Sequence, residues 1–417
     1  MTLQDLLRAG ADESIALAAP GRAPLTYRGL RELVAATTAT LNGAGLGRND
    51  RVAIVLPNGP EMAACFLACA SAVTSAPLNP AYRADEFEFY LTDLQAKALV
   101  VERASSSPAV AAARKLGVQV IELVVAEGAA AGQFSLAATL AAPCTHGGPA
   151  QADDVAMVLH TSGTTSRPKR VPLTVANLCA SAGHIAATLH LTARDVGLNI
   201  MPLFHIHGLM AGLLAPVSAG SQVCCTPGFN ALRFFKWMDE ASPTWYTAVP
   251  TMHLAIASRG KHNAEVLARH PLRFVRSSSA AMPPQLIQQL ETMFAAPLIE
   301  SYGMTEAAHQ MASNPLPPLA RKPGSAGRAS GPEIRIRNEE GAFLAAGEVG
   351  EVVIRGPNVT PGYENNAKAN DEAFVDGWFR TGDQGVLDAD GYLSITGRLK
   401  EIINRGEIGR ASCRERV

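Results

Sequence analysis

Cysteine is scarce in this sequence: seven among 417 residues, odd in number and scattered. That pattern excludes the disulfide framework of a small secreted domain, and a reducing cytoplasm is the expected compartment. Cys65 and Cys69 stand four apart in "GPEMAACFLACASA", a run that reads as a helix with Pro60 in its first turn. No further Cys or His pair completes a zinc set, so these two and the vicinal Cys224 and Cys225 of "SQVCCT" read as packing residues. An excess of one charge is lacking too. The formal net charge of −1 offers no footprint for nucleic acid. No apolar run is long enough to cross a bilayer, so no membrane partner is expected. "MTLQDLLRAGADES" has no basic n-region or cleavage site and reads as an N-terminal helix. Solenoid repeats and low-complexity tracts are missing as well.

What is present is core material. A 47% hydrophobic fraction beside 18% charged residues describes a globular, enzyme-like chain, and its length exceeds what one core usually covers. Strand-like runs recur between helical stretches: "RVAIVLP" (51–57), "KALVVE" (97–102), "VQVIELVVAE" (118–127), "VAMVLH" (155–160), "VGLNIMP" (196–202), "TWYTAVP" (244–250), "LRFVRS" (272–277) and "PLIESYG" (297–303). This alternation predicts an α/β fold, with parallel sheets covered by helices. Beyond residue 313 Pro and Gly dominate the connections, and "PEIRIRN", "GEVVIRG" and "GYLSITG" alternate in polarity, which predicts a small antiparallel β unit. "GAGLGR" (43–48) is not a GxGxxG fingerprint; it follows the helical "LRELVAATTATLN" and reads as a helix-terminating glycine turn.

The Walker pattern GxxxxGK[ST] is also absent. In its place stands "HTSGTTSRPKR" (160–170), where Pro168 precedes Lys169 and Arg170 follows it. The order is an apolar strand, a Ser/Thr/Gly loop, a lysine, then the helical "LTVANLCASAGHIAATL". Hydroxyls and open backbone N–H groups suit phosphate oxygens, glycine permits close approach, and lysine adds charge. Taken alone, the loop reads equally well as a phosphate cradle or as a polar connection.

Its companions weigh in. "PLFHIHG" (202–208), "ESYGMTEAAHQ" (300–310) and "GWFRTGDQGVLDADGYLSITGRLKE" (377–401) follow in order. Together these motifs resemble the adenylate-forming superfamily of acyl-CoA synthetases, coumarate:CoA ligases, luciferases and peptide-synthetase adenylation domains, over roughly residues 10–406. The resemblance implies two α/β subdomains over residues 1–313, a small antiparallel β subdomain over 314–397 and a hinge over 398–406. It also implies the chemistry. A carboxylate attacks the α-phosphate of ATP to give an acyl-AMP and pyrophosphate, and the thiol of CoA then displaces AMP. By similarity Thr161, Ser162, Gly163, Thr164, Thr165 and Lys169 form the β,γ-phosphate loop. Tyr302, beside Gly303, lies against adenine, Thr305 bonds the α-phosphate, and Glu306 holds Mg²⁺. Asp383 accepts from the ribose hydroxyls with Arg398 beside it.

His205 and His207 form HxH on an expected strand, where both would point one way. With no third ligand in view, the family's usage is the expectation: His205 edges the thiol tunnel and His207 lines the acyl pocket. Within the superfamily the chain is most similar to the oxalyl-CoA synthetase group, through "HTSGTTSRPK", "PLFHIHGLMAGLL", "TWYTAVPTMH", "RSSSAAM" and "MTEAAHQMASNPLP". That likeness implies a short polar pocket lined by His207, Ser278, Ser279, Ala280 and His309. Malonyl-CoA synthetases tend to carry arginine where this chain has Ser301, and a fatty acyl tunnel would need small apolar residues at 207 and 309.

Two departures stand out. The family usually has glycine where this chain has Arg170, which is expected either to crowd the loop or to add a phosphate contact. After "GRLKEIINRG" the family continues as "GEKISP" or similar and then a C-terminal domain that swings about Lys400, bearing a catalytic lysine and half of the CoA site. Here "EIGRASCRERV" follows, a run that reverse-translates into a common sequencing adapter, so residues 407–417 are read as a non-native tail. On that reading the chain binds nucleotide but adenylates poorly and forms thioesters hardly at all.

Overall fold

The computed structural model describes residues 1–139, 144–161 and 168–399, together with the backbone of Ile402–Asn404 and Arg410–Ser412. Those last two segments pair antiparallel, apart from both large sheets. The other residues of the expected hinge and tail, Lys400 among them, lie outside the described residues.

The fold is α/β, built as sheet, helices, sheet. Among the described residues the first sheet has seven strands, in the order Ser135–Ala137, Gln119–Val124, Ala98–Glu102, Arg51–Val55, Thr74–Pro77, Val155–His160, Arg170–Thr174. Its interior pairs are parallel and the two outermost pairs antiparallel. The last of these strands differs from the sequence expectation. "RVPLT" runs back along Val155–His160 as an antiparallel neighbour, so a strand, and not the helix directly, follows Lys169. Pro172, which has no N–H to give a further neighbour, is tolerated because the strand lies at the sheet edge.

The second sheet joins two halves. Parallel strands Ile15–Ala18, Gln222–Cys225, Val196–Asn199, Trp245–Ala248, Phe274–Ser277 and Leu298–Met304 are neighbours in that order. The antiparallel half continues through His309–Ser313, Gly327–Ala329, Tyr392–Arg398, Trp378–Leu387, Val349–Arg355 and Glu333–Arg337. In this sheet the antiparallel half starts within the last parallel strand, at Ser301, and is continuous with the parallel half. Leu298–Met304 makes the join: Leu298 to Glu300 pair in parallel with Val275 to Ser277, whereas Ser301 to Met304 pair antiparallel with His309–Ser313. Ligands in such sheets gather where strand order or direction switches, beyond the carboxyl ends of the strands.

Two helices fill the space between the sheets. Pro60–Ala70 touches Val155–His160 of one sheet and Ile15–Ala18 and Gln222–Cys225 of the other, and every residue in it except Glu61 is buried. A helix apolar on all sides needs such a setting, and Cys65 and Cys69 are core packers within it. Val175–Thr188 bridges the sheets in the same way. Thr174 and Asn177 form its capping box, and the Asn177 amide donates to the carbonyls of Pro357 (2.8 Å) and Val359 (3.0 Å). Tyr27–Gly43 ends as "GAGLGR" foretold: Gly45 has φ +81° and the Leu46 N–H returns to Leu41. No helix among the described residues is long and apolar enough to cross a membrane.

Candidate active site

The site follows from the switch strand. The β-hairpin of Leu298–Met304 and His309–Ser313 is turned by a short 3₁₀ segment, Thr305–Ala307, and by two consecutive non-glycine residues at positive φ, Ala308 (+47°) and His309 (+92°). Such backbone strain persists only where the surroundings over-determine it. Gly303 permits the hairpin, since a Cβ there would lie 1.7 Å from the His309 carbonyl oxygen. Glu306 is thereby buried, and its carboxylate accepts from the Tyr363 hydroxyl at 2.8 Å. Thr305 is half-buried beside it, and its carbonyl accepts from Ala308.

Lys169 reaches the same tyrosine from the first sheet. Its ammonium stands 4.4 Å from the centre of the Tyr363 ring, a cation–π contact. The base of the loop is pinched by Thr161, whose N–H donates to the Lys169 carbonyl (3.0 Å) and whose hydroxyl accepts from the Lys169 N–H (3.2 Å). Ser162, Gly163, Thr164 and Thr165 lie outside the described residues. Arg170 is turned toward Asp93 and Glu364. Its buried guanidinium donates to the Asp93 carbonyl and lies 3.6 Å from the Asp93 carboxylate and 3.7 Å from that of Glu364, which also pairs with Arg51 at 2.8 Å.

A second cluster forms where the antiparallel strands reach the switch. The Tyr302 hydroxyl donates to Asp383 at 2.5 Å, and Arg398 Nε donates to the other oxygen of that carboxylate at 2.9 Å. Burial, reinforced by the Asp383 charge, pushes the Tyr302 phenol well above its ordinary pKa, so it serves as a donor at neutral pH. Tyr302, Asp383 and Arg398, far apart in sequence, are thus one unit.

The third cluster departs from expectation. His205 and His207 are not on a strand: His205 precedes the helical turn Ile206–Leu209 and is exposed, with its ring against Phe204, whereas His207 is buried. The two do not share a direction and cannot chelate together. Among the described residues no group of three His, Cys, Asp or Glu is placed to hold a metal. His207 instead stacks on His309, also buried, with ring centres 4.7 Å apart. Ser279, at φ +75°, turns its hydroxyl to within 3.2 Å of His207 Nδ1. Ser278 is buried and gives its hydroxyl to the Ser301 carbonyl at 3.0 Å, and Ala280 is exposed at the rim. Desolvation holds both imidazoles well below their ordinary pKa.

Arg276 and Tyr363 escaped the sequence reading. Arg276 is fully buried, with Nη1 3.3 Å from His207 Nε2 and Nη2 3.2 Å from His309 Nε2. Among the described residues no carboxylate lies within ion-pair distance of it, and its Nε has no partner. Burial pushes its pKa down to about 9, so the charge persists at neutral pH. One signal pointed there: "LRFVRS" places an arginine in a strand expected to be covered on both faces. For Tyr363, in "PGYE", no local signal exists.

Known proteins resemble this chain over most of its length. The family model described as AMP-binding enzyme matches residues 8–364. The chain is 44% identical over 403 residues to an oxalate–CoA ligase of Arabidopsis thaliana, spanning 94% of this chain and 77% of that protein. It is 39% identical over 414 residues to an oxalate–CoA ligase of Saccharomyces cerevisiae, spanning 92% and 75%. Among solved structures, ATP-bound MatB from Rhodopseudomonas palustris aligns with a TM-score of 0.85 at 27% identity, covering 100% of this chain and 82% of that one. With most of its length matched, the chain belongs to the AMP-binding enzyme family.

Proposed function

We propose that this AMP-forming acid–CoA ligase takes oxalate, converting it with ATP to oxalyl-AMP and pyrophosphate and then with CoA to oxalyl-CoA and AMP. The observation that carries the choice of acid is the stacked pair His207 and His309. Two buried imidazoles in contact close the pocket where a fatty or aryl chain would have to pass, and their polar edges suit a short anion. The names of the Arabidopsis and yeast relatives support the same acid.

In this reading Lys169 leaves the Tyr363 face to meet the β,γ-phosphates, with Thr161 and the loop residues Ser162, Gly163, Thr164 and Thr165 supplying hydroxyls and N–H groups. Its role is electrostatic: it stabilises charge on the departing pyrophosphate and forms no covalent bond. Thr305 donates to the α-phosphate, Gly303 lets the nucleotide pass close to the backbone, and Tyr302 lies against adenine. Asp383, steadied by Tyr302 and Arg398, accepts from the ribose hydroxyls. Tyr363 occupies one Glu306 oxygen and, among the described residues, no hydrogen bond reaches the other, which fits an ion that takes one or two carboxylates and fills its remaining positions with phosphate and water. Glu306 is the residue that would hold Mg²⁺, whose charge offsets that of the phosphates. His205, exposed at the mouth, borders the path of the thiol. His207, Ser279 and His309 orient the acid, with Ser278 and Ala280 shaping the turn beside it.

The test is isotope exchange between pyrophosphate and ATP, run on this chain and on the same chain extended by the remainder of the Arabidopsis relative. Oxalate-dependent exchange, with AMP released once CoA is added, supports the reading. Formation of ADP, or exchange indifferent to oxalate in both proteins, contradicts it.

A further inference from the structure

Arg276 lies on Phe274–Ser277, opposite Thr247 in the register, with its guanidinium behind the stacked imidazoles. A guanidinium only donates. Nη1 approaches His207 Nε2 at 3.3 Å, and Nη2 approaches His309 Nε2 at 3.2 Å, so both Nε2 atoms accept. Thr247 is compatible with this: its oxygen receives Nη1 at 3.3 Å, and its own hydrogen shares the single His207 Nε2 lone pair with Nη1, at 2.7 Å. Gln310 receives Nη2 at 3.2 Å through its carbonyl oxygen. Each imidazole must then carry its hydrogen on Nδ1. For His207 that hydrogen points to Ser279, at 3.2 Å, and among the described residues nothing in the protein meets Nδ1 of His309.

We infer that Arg276 sets the acid specificity of this site as a positioning residue: it fixes His207 and His309 as Nδ1–H donors and supplies the positive charge that a second carboxylate neutralises. The inference rests on reading this cleft as the acid pocket. A buried cation without a counter-anion is expensive to maintain for packing alone, and an apolar residue of like volume would serve a core better. The charge, the orphaned Nε and the donors in front of it together ask for an acceptor-rich anion. A monocarboxylic acid spends its only carboxylate on the reaction with ATP. A dicarboxylic acid retains a second one to meet the two Nδ1–H groups, with the guanidinium charge behind them.

Two measurements test this on the full chain. In the wild-type protein, ¹⁵N NMR of the histidines should show both His207 and His309 as neutral Nδ1–H tautomers; an Nε2–H tautomer at either position overturns the inference whatever the substrate. The second compares Arg276→Met with Arg276→Lys by calorimetry with oxalate, acetate and a non-hydrolysable ATP analogue. Arg276→Met should keep or raise the melting temperature and bind the analogue as before. It should lose about 100-fold in oxalate affinity while acetate changes by less than about threefold, and lysine should restore part of the loss. Equal weakening of oxalate and acetate, or unchanged oxalate binding, overturns the inference and leaves the oxalate reading standing. Failure of the wild-type protein to bind oxalate overturns both.

Discussion

The hydroxyl of Tyr363 donates to the carboxylate of Glu306 across 2.8 Å, joining a loop of the antiparallel half to the hairpin at the sheet switch. The same ring carries the Lys169 ammonium on its face, so one tyrosine sets the spacing of a cation and an anion at the proposed nucleotide site. Tyr363→Phe keeps the ring and removes the donor. A hydrogen bond to a charged group contributes about 1.5–3 kcal/mol, so pyrophosphate exchange should fall by about tenfold or more at limiting Mg²⁺ and partly recover as Mg²⁺ is raised. An unchanged Mg²⁺ titration would show that the bond does not position Glu306.

Lys169→Ala removes the charge assigned to the leaving pyrophosphate. Exchange should slow by about 10²–10³-fold, the range seen when a preorganised electrostatic donor is lost. Thermal unfolding should move little, because the ammonium makes no ion pair among the described residues and leaves only a ring face behind.

Arg170→Gly introduces the residue usual in the family at that position. The guanidinium ties Asp93 to Glu364, so the loss should be read in stability. Leaving its half-buried partners short of a cation costs on the order of 1–2 kcal/mol, softened here because Arg51 still pairs with Glu364. The melting temperature should drop while the KM for ATP stays within about threefold, under 1 kcal/mol. A large KM change with unaltered melting would return Arg170 to the phosphate site.

Glu300 ends the parallel part of the switch strand, and burial raises its pKa from 4.5 to about 7 although the Gly324 N–H donates to it. The folded state thus holds this proton more tightly than the unfolded chain does. The resulting stability is fully present below pH 4.5 and is lost as pH rises through 7, a change of about 3 kcal/mol. Glu300→Gln should flatten the dependence of the unfolding midpoint on pH between 5 and 8. An equally steep profile in the variant would assign the dependence to another group.

Local pattern made much of this molecule legible. Apolar runs bounded by turns predicted the strands at 51–57, 97–102, 155–160, 244–250 and 272–277, and each contains a strand in the fold. The run at 118–127 overshoots, because the strand stops at Val124 and the chain turns outward at the exposed Val125, just before "AEG". "RVPLT" was hidden by its proline and its shortness, and only the neighbouring strand makes it one. "FHIHG" alternates like a strand, but the apolar run after it packs as a helix, which sends His205 outward and His207 inward. Tyr302 and Asp383 were readable as motif members, whereas the bond between them depends on pairing across the second sheet. Arg276 and Tyr363 act through partners distant in sequence, and no short-range signal encodes such contacts.

The most direct test of the whole account is the ratio of kcat/KM values for oxalate, malonate, acetate, hexanoate and coumarate in ATP–pyrophosphate exchange, with the chain extended by the remainder of its Arabidopsis relative. The account predicts oxalate first, malonate reduced by its extra methylene, and the monoacids lower by about 100-fold or more, since they leave buried donors unmatched. Hexanoate or coumarate turning over faster than oxalate would contradict it, because the His207–His309 stack could not then be the floor of the acid pocket.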